Sequence, residues 1–210
     1  MTHTVTTIAE LESLYPGKVA EASWRKETQH ITAEYRQLIE AAPFFAISSI
    51  GADDAGGPGE MDCSPRGDGP GSIHIIDDRT IAFADRRGNN RLDTLRNIVV
   101  DPRVSLLFLI PGWNECLRIN GKASITTEPQ LLDAFIVQGK RPVTAIVVEI
   151  ATMYFQCARA IKRARLWEEG AKVDPKTLPS AGRLVKSVMD EFDAQTYDDA
   201  LQERQAKTMY

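Results

Sequence analysis

The sequence contains no long apolar run. Its longest apolar stretches, residues 104–110 and 145–148, are much shorter than the roughly 20 residues that a membrane-spanning helix needs. The first residues also lack the basic segment followed by an apolar one that marks a secretion signal. We therefore expect a cytoplasmic protein without a membrane span.

Basic residues are not in excess either. The 210 residues include 25 Lys and Arg against 29 Asp and Glu, which gives a formal net charge of −4 at pH 7. A general nucleic-acid binder needs a basic surface that releases counterions. The charge balance therefore disfavours that class of protein, and we expect no nucleic-acid partner.

Cysteine and histidine are scarce, with three of each. The cysteines lie far apart, which suits reduced thiols better than a disulfide framework, and the histidines lack the spacing of a metal site. Neither a serine nucleophile elbow nor a Cys/His pair for covalent catalysis stands out. We predict no disulfide and no metal; if the chain is an enzyme, a bound cofactor carries the chemistry. These residues are Cys63, Cys116, Cys157, His3, His30 and His74.

Two loop segments have the composition of ligand motifs without their spacing. Residues 67–71, Gly-Asp-Gly-Pro-Gly, lack the spacing of a dinucleotide fingerprint and precede a strand-like run, so we interpret them as a turn. Asp53, Asp54 and Glu60 lack the alternating oxygen ligands of a helix-flanked calcium loop. We interpret them as a solvated acidic loop.

Helical patterns occupy the first forty residues, and short strand patterns occupy the middle of the chain. Thr7 and Glu10 match a capping box, and Pro43 closes the helical entrance. Six or seven short strands with only short helices between them disfavour a series of βαβ units, so we predict one mainly β domain built as an antiparallel barrel. The predicted strands are 44–50, 61–65, 72–76, 80–84, 104–110, 115–126 and 144–150; the later predicted helices are 90–100, 130–137 and a tail helix from about 180.

Residues 83–92 form the most informative segment. A strand leads into a Gly surrounded by Arg86, Arg87 and Arg91, and a helix is predicted to begin near Asn89. Helix N-termini carry unpaired N–H groups and a partial positive charge, Asn is a favoured N-cap, and Arg can bind a phosphate with two hydrogen bonds. The segment is a candidate anion cradle; by itself it is equally consistent with a hairpin exit and a solvated helix start.

A second arginine, Arg66, ends a predicted strand one hairpin earlier. Strand ends separated by one hairpin can lie side by side in an antiparallel barrel, so Arg66 could meet Arg91 on the same anion. The alternative is that Arg66 is an ordinary turn residue.

The chain becomes helical and basic from Cys157 onward. Its basic residues and Trp167 suit an anionic aromatic ligand, because indole stacks on flat rings and guanidinium pairs with phosphate. Helical periodicity spreads these charges over more than one face, so about half of them are expected on the plain surface. Further along, a group of apolar residues at helical spacing predicts core or dimer packing rather than a ligand site. That group is Leu184, Val185, Val188, Met189 and Phe192.

Together these motifs resemble the pyridoxamine 5′-phosphate oxidase-like family of FMN-binding split barrels, particularly its branch of uncharacterised FMN-dependent enzymes. The resemblance runs from about residue 43 to residue 167, and the order and spacing of its pieces make it specific. The pieces are Ser64-Pro65-Arg66-Gly67, residues 81–85 leading to Asn89-Asn90-Arg91, residues 97–108, residues 117–121, and residues 156–158 continuing to Leu166-Trp167.

The resemblance implies a mainly β fold with flanking helices, an antiparallel six-stranded split β-barrel. It also implies a homodimer with two FMN sites at the subunit interface. The chain then divides into a helical extension (1–42), the FMN-binding barrel (43–167) and a helical tail (168–210) that packs on the barrel or on the partner subunit.

Family positions imply which residues contact FMN. Arg66 and the turn 89–91 are expected at the phosphate, Ala84 and Asp85 beside the ribityl chain or the ring, and Arg118 near the N1 and O2 side of the ring. Cys116 stands where the family often has Gln, and segment 157–167 is expected to join the site from the partner subunit. The implied set is Ser64, Arg66, Ala84, Asp85, Asn89, Asn90, Arg91, Cys116, Arg118, Cys157, Arg165 and Trp167.

The sequence departs from the family pattern in two places. The family's loop usually reads Ser-Arg-Lys where this chain reads Asn-Asn-Arg, so one positive charge is lost, and Arg86 or Arg87 would have to replace it. The Arg-and-His pattern with which true pyridoxamine phosphate oxidases hold their substrate is not found after Trp167. We therefore do not expect that specific activity.

The resemblance implies an FMN-dependent oxidoreductase. A reduced nicotinamide or another donor would reduce the flavin, and a small organic acceptor or dioxygen would reoxidise it. A flavin carrier or sensor without turnover is the alternative from a different class. A third reading places haem or a deazaflavin in the same pocket, with His74 as the one histidine in a predicted strand.

Overall fold

The computed structural model describes residues 4–17, 19–51 and 60–210. The acidic-loop interpretation of Asp53 and Asp54 lies outside these residues, as does His3. The helices are α1 Ile8–Leu14, α2 Glu21–Arg25, α3 Ala33–Ala41, α4 Asp93–Val100, α5 Pro129–Asp133, α6 Arg159–Ala164, α7 Ala181–Lys186, α8 Ala194–Asp199 and α9 Leu201–Thr208. The strands are β1 Phe44–Ile50, β2 Met61–Gly67, β3 Ile73–Ile75, β4 Thr80–Ala84, β5 Arg103–Leu109, β6 Cys116–Thr126 and β7 Ala145–Gln156.

The described strands form one antiparallel sheet in the order β2-β1-β5-β6-β7-β4-β3. The prediction of a mainly β, antiparallel fold with flanking helices is confirmed. The sheet has seven strands rather than the six of the family barrel, because the three-residue β3 also pairs with β4. Its hydrogen-bonded order is open, with β2 at one edge and β3 at the other.

The core lies on one face of this sheet. Residues of β1 and β5 alternate between buried and partly exposed positions, as expected for a half-buried strand. The Phe45 ring stacks on the fully buried Phe108 ring at 5.0 Å between centroids and meets Phe83 edge-on at 4.8 Å. Ile39 of α3 is fully buried in the same cluster. Helix α3 therefore packs against the buried face of the sheet.

Helix α4 is held against the sheet by a buried polar contact. The Nδ2 of Asn97, which is fully buried, donates to the Oγ of Ser49 on β1 at 2.9 Å. On the first turn of α4, Thr94 donates from its Oγ1 to the Oγ of Ser64 on β2 at 3.1 Å. Because these bonds fix the start of α4 beside β2, they also place the loop that precedes the helix.

Three helix predictions need correction, and the first is the helix predicted over 130–137, which is present only as α5 Pro129–Asp133. Helix α4 begins at Asp93, several residues later than predicted, because Asn90 and Leu92 adopt left-handed backbone conformations with φ of 60° and 62°. Asn89 is therefore not the N-cap; that position belongs to Leu92, which makes no side-chain cap. The predicted single tail helix is divided into α7, α8 and α9.

The apolar residues of the tail do not join the core of this chain. Leu184, Val188 and Met189 are exposed, with 82% of Val188 accessible. Phe192 packs on Tyr197 within the tail, at 5.2 Å between ring centroids. The prediction that these residues pack in the core is thus wrong for the three exposed ones. Their packing in a dimer contact stays a prediction. None of the helices in the described ranges is long and apolar enough to cross a membrane.

Candidate functional site

A cavity of about 790 Å³ opens where the end of β2, the loop after β4, the start of α4 and residues 140–144 meet. The N–H of Asp85 donates to the carbonyl oxygen of Thr144 at 3.0 Å, which brings the loop after β4 and residues 140–144 together. Half of the predicted contact residues line this cavity. They are Ser64, Arg66, Asp85, Asn89, Asn90 and Arg91.

Arg66 is the most informative residue of the cavity. It lies opposite Phe45 in the β1–β2 pairing, and 24% of its side chain is exposed. Its Nε is buried and has no hydrogen-bond partner in the part of the chain that the structure describes. A buried, charged donor without an acceptor is costly, so this geometry suits an anionic ligand that would supply one.

Asp85 faces Arg66 across the cavity, with Oδ1 3.7 Å from an Nη of Arg66. Burial raises the pKa of this carboxyl above its ordinary value, and the charge of Arg66 opposes the shift without cancelling it. Its neighbour Ala84 ends β4, opposite Ala145 of β7, and is not one of the cavity's lining residues.

The raised pKa of Asp85 gives a prediction on stability. The unfolded carboxyl titrates near 3.8, so folding favours the protonated form, and the contribution of Asp85 to the free energy of unfolding falls as the pH rises through its raised pKa. Asp85→Asn is neutral throughout. We expect the Tm of this variant, relative to the wild type, to rise from about pH 4 to about pH 7. Asp190→Asn changes an exposed carboxyl and serves as the control. If the Tm difference between Asp85→Asn and the wild type were the same at both pH values, the burial of an ionised Asp85 would be contradicted.

In the loop before α4, the side chains of Asn89 and Arg91 already make hydrogen bonds within the protein. The Oδ1 of Asn89 accepts the N–H of Arg91 at 3.1 Å, which closes a local turn. The Nε of Arg91 donates to Asp93 at 2.8 Å, and 68% of the Arg91 side chain is exposed. Arg91 therefore lines the cavity from its solvent side and already has one carboxylate partner.

Arg86 also lines the cavity, but its guanidinium already has partners within the protein. Its Nε donates to Oδ2 of Asp68 at 2.7 Å, and an Nη donates to the carbonyl oxygen of Phe135 at 2.8 Å. Burial works against ionisation of Asp68, but hydrogen bonds from Arg86 and from the N–H of Gly69 outweigh it and lower the pKa of that carboxyl. Of the two arginines expected to replace the lost loop charge, Arg87 is thus the better candidate.

Sequence reasoning missed one wall of the cavity, which is formed by Lys140, Arg141 and Tyr210. Lys140 donates from Nζ to the carbonyl oxygen of Tyr210 at 2.6 Å. The Tyr210 hydroxyl donates to Oδ1 of Asp68 at 3.0 Å, across a separation of 142 residues. The only local signal was the basic pair 140–141 before β7, because nothing near Tyr210 in the sequence indicates its partners.

Two further residues that were predicted to contact FMN, Cys116 and Arg118, do not line this cavity. Cys116 and Arg118 are on β6, opposite Gln156 and Tyr154 of β7. Burial raises the pKa of the Cys116 thiol. An Nη of Arg118 donates to the Tyr154 hydroxyl at 3.0 Å.

Segment 157–167 does not line the cavity of the same chain. Cys157 follows β7 and is exposed. The Nε of Arg165 donates to Glu168 at 2.7 Å, and the indole N–H of Trp167 donates to the carbonyl oxygen of Trp113 at 2.7 Å. These residues could reach a cavity only across a subunit interface, so their contribution stays a prediction.

Comparison with known protein families matches residues 31–157 to the family described as pyridoxamine 5′-phosphate oxidase. This match spans more than half of the chain. The chain belongs to the pyridoxamine 5′-phosphate oxidase-like split-barrel family. Members of this family generally bind flavin.

Several solved structures are similar to this chain. The HupZ protein of Group A Streptococcus is 19% identical with a TM-score of 0.47, covering 60% of this chain and 93% of that one. General Stress Protein 26 from Bacillus anthracis is 16% identical with a TM-score of 0.44, covering 57% and 88%. The FAD-binding protein from Mycobacterium smegmatis is 13% identical with a TM-score of 0.40, covering 61% and 97%. At these values the likenesses say nothing about ligand or activity. Comparison with curated proteins gave no match.

Proposed function

We propose that this chain binds FMN in the described cavity and acts as an FMN-dependent oxidoreductase. The observation that carries the proposal is the position of Arg66: its side chain, 24% exposed, lines the cavity together with further arginines, and its Nε has no acceptor within the described residues. A phosphate monoester provides acceptors in the geometry that a guanidinium matches best. Because the family generally binds flavin, we propose the flavin that ends in a phosphate monoester, FMN, as the ligand.

The cavity residues divide into groups with different roles. Arg66 and Arg91, with Arg87, hold the phosphate, and the backbone of the turn 89–91 shapes its seat. Asp85 lies beside the ribityl chain and limits the net positive charge next to Arg66. When bound, FMN supplies hydride and electron transfer.

A homodimer completes the proposed site. Cys116, Arg118 and segment 157–167 do not line the cavity of their own chain, and a partner subunit would bring its copies to the ring end of FMN. Arg118 would there favour negative charge at the N1 and O2 side of the ring. A six-stranded split barrel, the three-part domain division and a cytoplasmic location belong to the same proposal.

The first experiment is the absorption spectrum of the purified protein, followed by titration of the ligand-depleted protein with FMN and with riboflavin. We expect a flavin spectrum and a preference for FMN of about 10- to 100-fold, because a charge-assisted hydrogen bond to the phosphate contributes about 1.5–3 kcal/mol. Riboflavin is the matched control, since it lacks only the phosphate. Equal affinities for the two compounds would refute the phosphate role of the arginines.

Turnover is tested separately by mixing the FMN-loaded protein with a reduced nicotinamide in a stopped-flow spectrometer. Rapid loss of the flavin absorbance supports the oxidoreductase. The competing function is a flavin carrier or sensor, and it is favoured by one observation: among the described residues no His or Cys lines the cavity, and the Asp85, Lys140 and Tyr210 side chains there already pair with protein groups. Absorbance that persists with both reduced nicotinamides supports the carrier.

A further inference from the structure

Tyr210 is held in the cavity wall by three contacts of different kinds. Its hydroxyl donates to Oδ1 of Asp68 at 3.0 Å, and its carbonyl oxygen accepts from Nζ of Lys140 at 2.6 Å. The guanidinium carbon of Arg86 lies 5.4 Å from the centroid of its ring, within the range of a cation–π contact. The hydrogen bond to Asp68 is the largest cause of a raised pKa of Tyr210, so the phenol keeps its proton and remains a donor at neutral pH.

These contacts place the Tyr210 ring at the Arg66 end of the cavity. Asp68 follows Arg66 by two residues along the chain, and Arg86 directly follows Asp85, whose carboxylate lies 3.7 Å from Arg66. The partners of Tyr210 are thus close neighbours, in sequence, of the Arg66–Asp85 pair. Tyr210 and Arg66 line the same cavity, and the Asp68 carboxylate that accepts from Tyr210 stands two residues from Arg66.

We propose that Tyr210 is a specificity-determining residue that closes the Arg66 end of the cavity and admits ligands ending in a phosphate monoester. A ligand whose phosphate continues into a pyrophosphate and a second nucleoside would have to displace the ring. Displacement of the ring breaks the hydroxyl's bond to Asp68 and removes the contact with Arg86. The inference rests on the proposed function, and it narrows the ligand class of that site to flavin mononucleotides as opposed to dinucleotides.

The size of the effect follows from the bonds that would be lost. The Tyr210 hydroxyl bonds to an ionised carboxylate, and losing one charge-assisted hydrogen bond changes an equilibrium constant by about 10- to 100-fold. The wild type should therefore bind FMN at least about tenfold more tightly than FAD. Tyr210→Ala should remove most of this preference by tightening FAD binding.

The test is a fluorescence titration of each ligand-depleted protein with FMN and with FAD. Tyr210→Phe keeps the ring but loses the bond to Asp68. The ratio of its FMN affinity to its FAD affinity should therefore fall between the ratios of the wild type and of Tyr210→Ala. Met209→Ala changes the adjacent side chain, which is 59% exposed and does not line the cavity; its ratio should equal that of the wild type. Thermal denaturation establishes that each variant is folded.

The outcomes separate the two proposals. If the wild type and Tyr210→Ala bind FMN but show the same ratio, Tyr210 does not determine specificity, although the FMN site stands. The same conclusion follows if the wild type binds FAD as tightly as FMN. If the wild type binds neither nucleotide, the proposed function fails, and the role of Tyr210 in selecting between them fails with it.

Discussion

Arg66→Ala should weaken FMN binding by about 10- to 100-fold and leave riboflavin binding unchanged within about twofold. The Arg66 guanidinium lines the cavity, with 24% of the side chain exposed, so a phosphate oxygen that meets its accessible N–H groups gains a charge-assisted hydrogen bond in a partly desolvated setting. Riboflavin offers no such acceptor. Titration of both compounds, followed by quenching of flavin fluorescence, measures the two effects in one set of experiments.

Two further variants sharpen this prediction. Arg66→Lys keeps the charge but loses the planar fork, so it should recover only part of the affinity for FMN. Arg91→Ala removes the same residue type from the same cavity, but Arg91 is 68% exposed and paired with Asp93, so its loss should be smaller. Equal losses of FMN and riboflavin affinity in Arg66→Ala would indicate damage to the barrel. Unchanged FMN affinity would place the phosphate elsewhere.

Gly121→Ala should destabilise the protein by about 1–3 kcal/mol, near the upper end of that range. Gly121 lies at the irregularity in the β6–β7 pairing, where the register shifts between Asn120 and Gly121. A Cβ at this position would overlap the backbone carbonyl oxygen of Glu149 and lie 3.0 Å from Cγ1 of Val148. Since the obstacle is backbone in a central strand, it cannot move aside as the end of a flexible side chain would.

Equilibrium unfolding in urea measures this loss, and Gly170→Ala provides the matched control. The nearest atom to a Cβ at Gly170 is an Nη of Arg165 at 3.5 Å, an ordinary contact, so this change should stay within about 0.5 kcal/mol of the wild type. If Gly121→Ala were as stable as Gly170→Ala, the close approach of β6 to the Glu149 carbonyl would be wrong.

The strands that were predicted most accurately have boundaries set by neighbouring residues. β1 is preceded by Pro43, and β4 follows the Asp77-Asp78-Arg79 turn; both strands have the predicted bounds. Local signals suffice in such cases, because a proline or a tight turn ends a strand wherever the strand lies in the fold. The capping box of Thr7 with Glu10 was predicted for the same reason and is confirmed.

Elements that depend on distant partners were predicted less well. β7 continues to Gln156, well past the predicted end at residue 150, because it pairs with β6 on both sides of the irregularity at Gly121. The start of α4 was wrong because Asn90 and Leu92 take left-handed conformations. Residues other than glycine adopt these rarely, and hydrogen bonds from α4 to Ser49 and Ser64 hold the helix in its place.

The amino-acid order was sufficient to assign the family and the β-rich antiparallel class, and to single out Arg66 and the loop 85–91, which the structure brings together around one cavity. Those inferences use periodicity, turn residues and motif spacing. These signals come from residues close together in the sequence, so they do not depend on how the elements pack. Three features required the folded chain: the Nε of Arg66 without a partner among the described residues, the engagement of Arg86 by Asp68, and the position of Tyr210. Each depends on contacts between residues remote in sequence, and such contacts exist only after packing has brought them within hydrogen-bond distance.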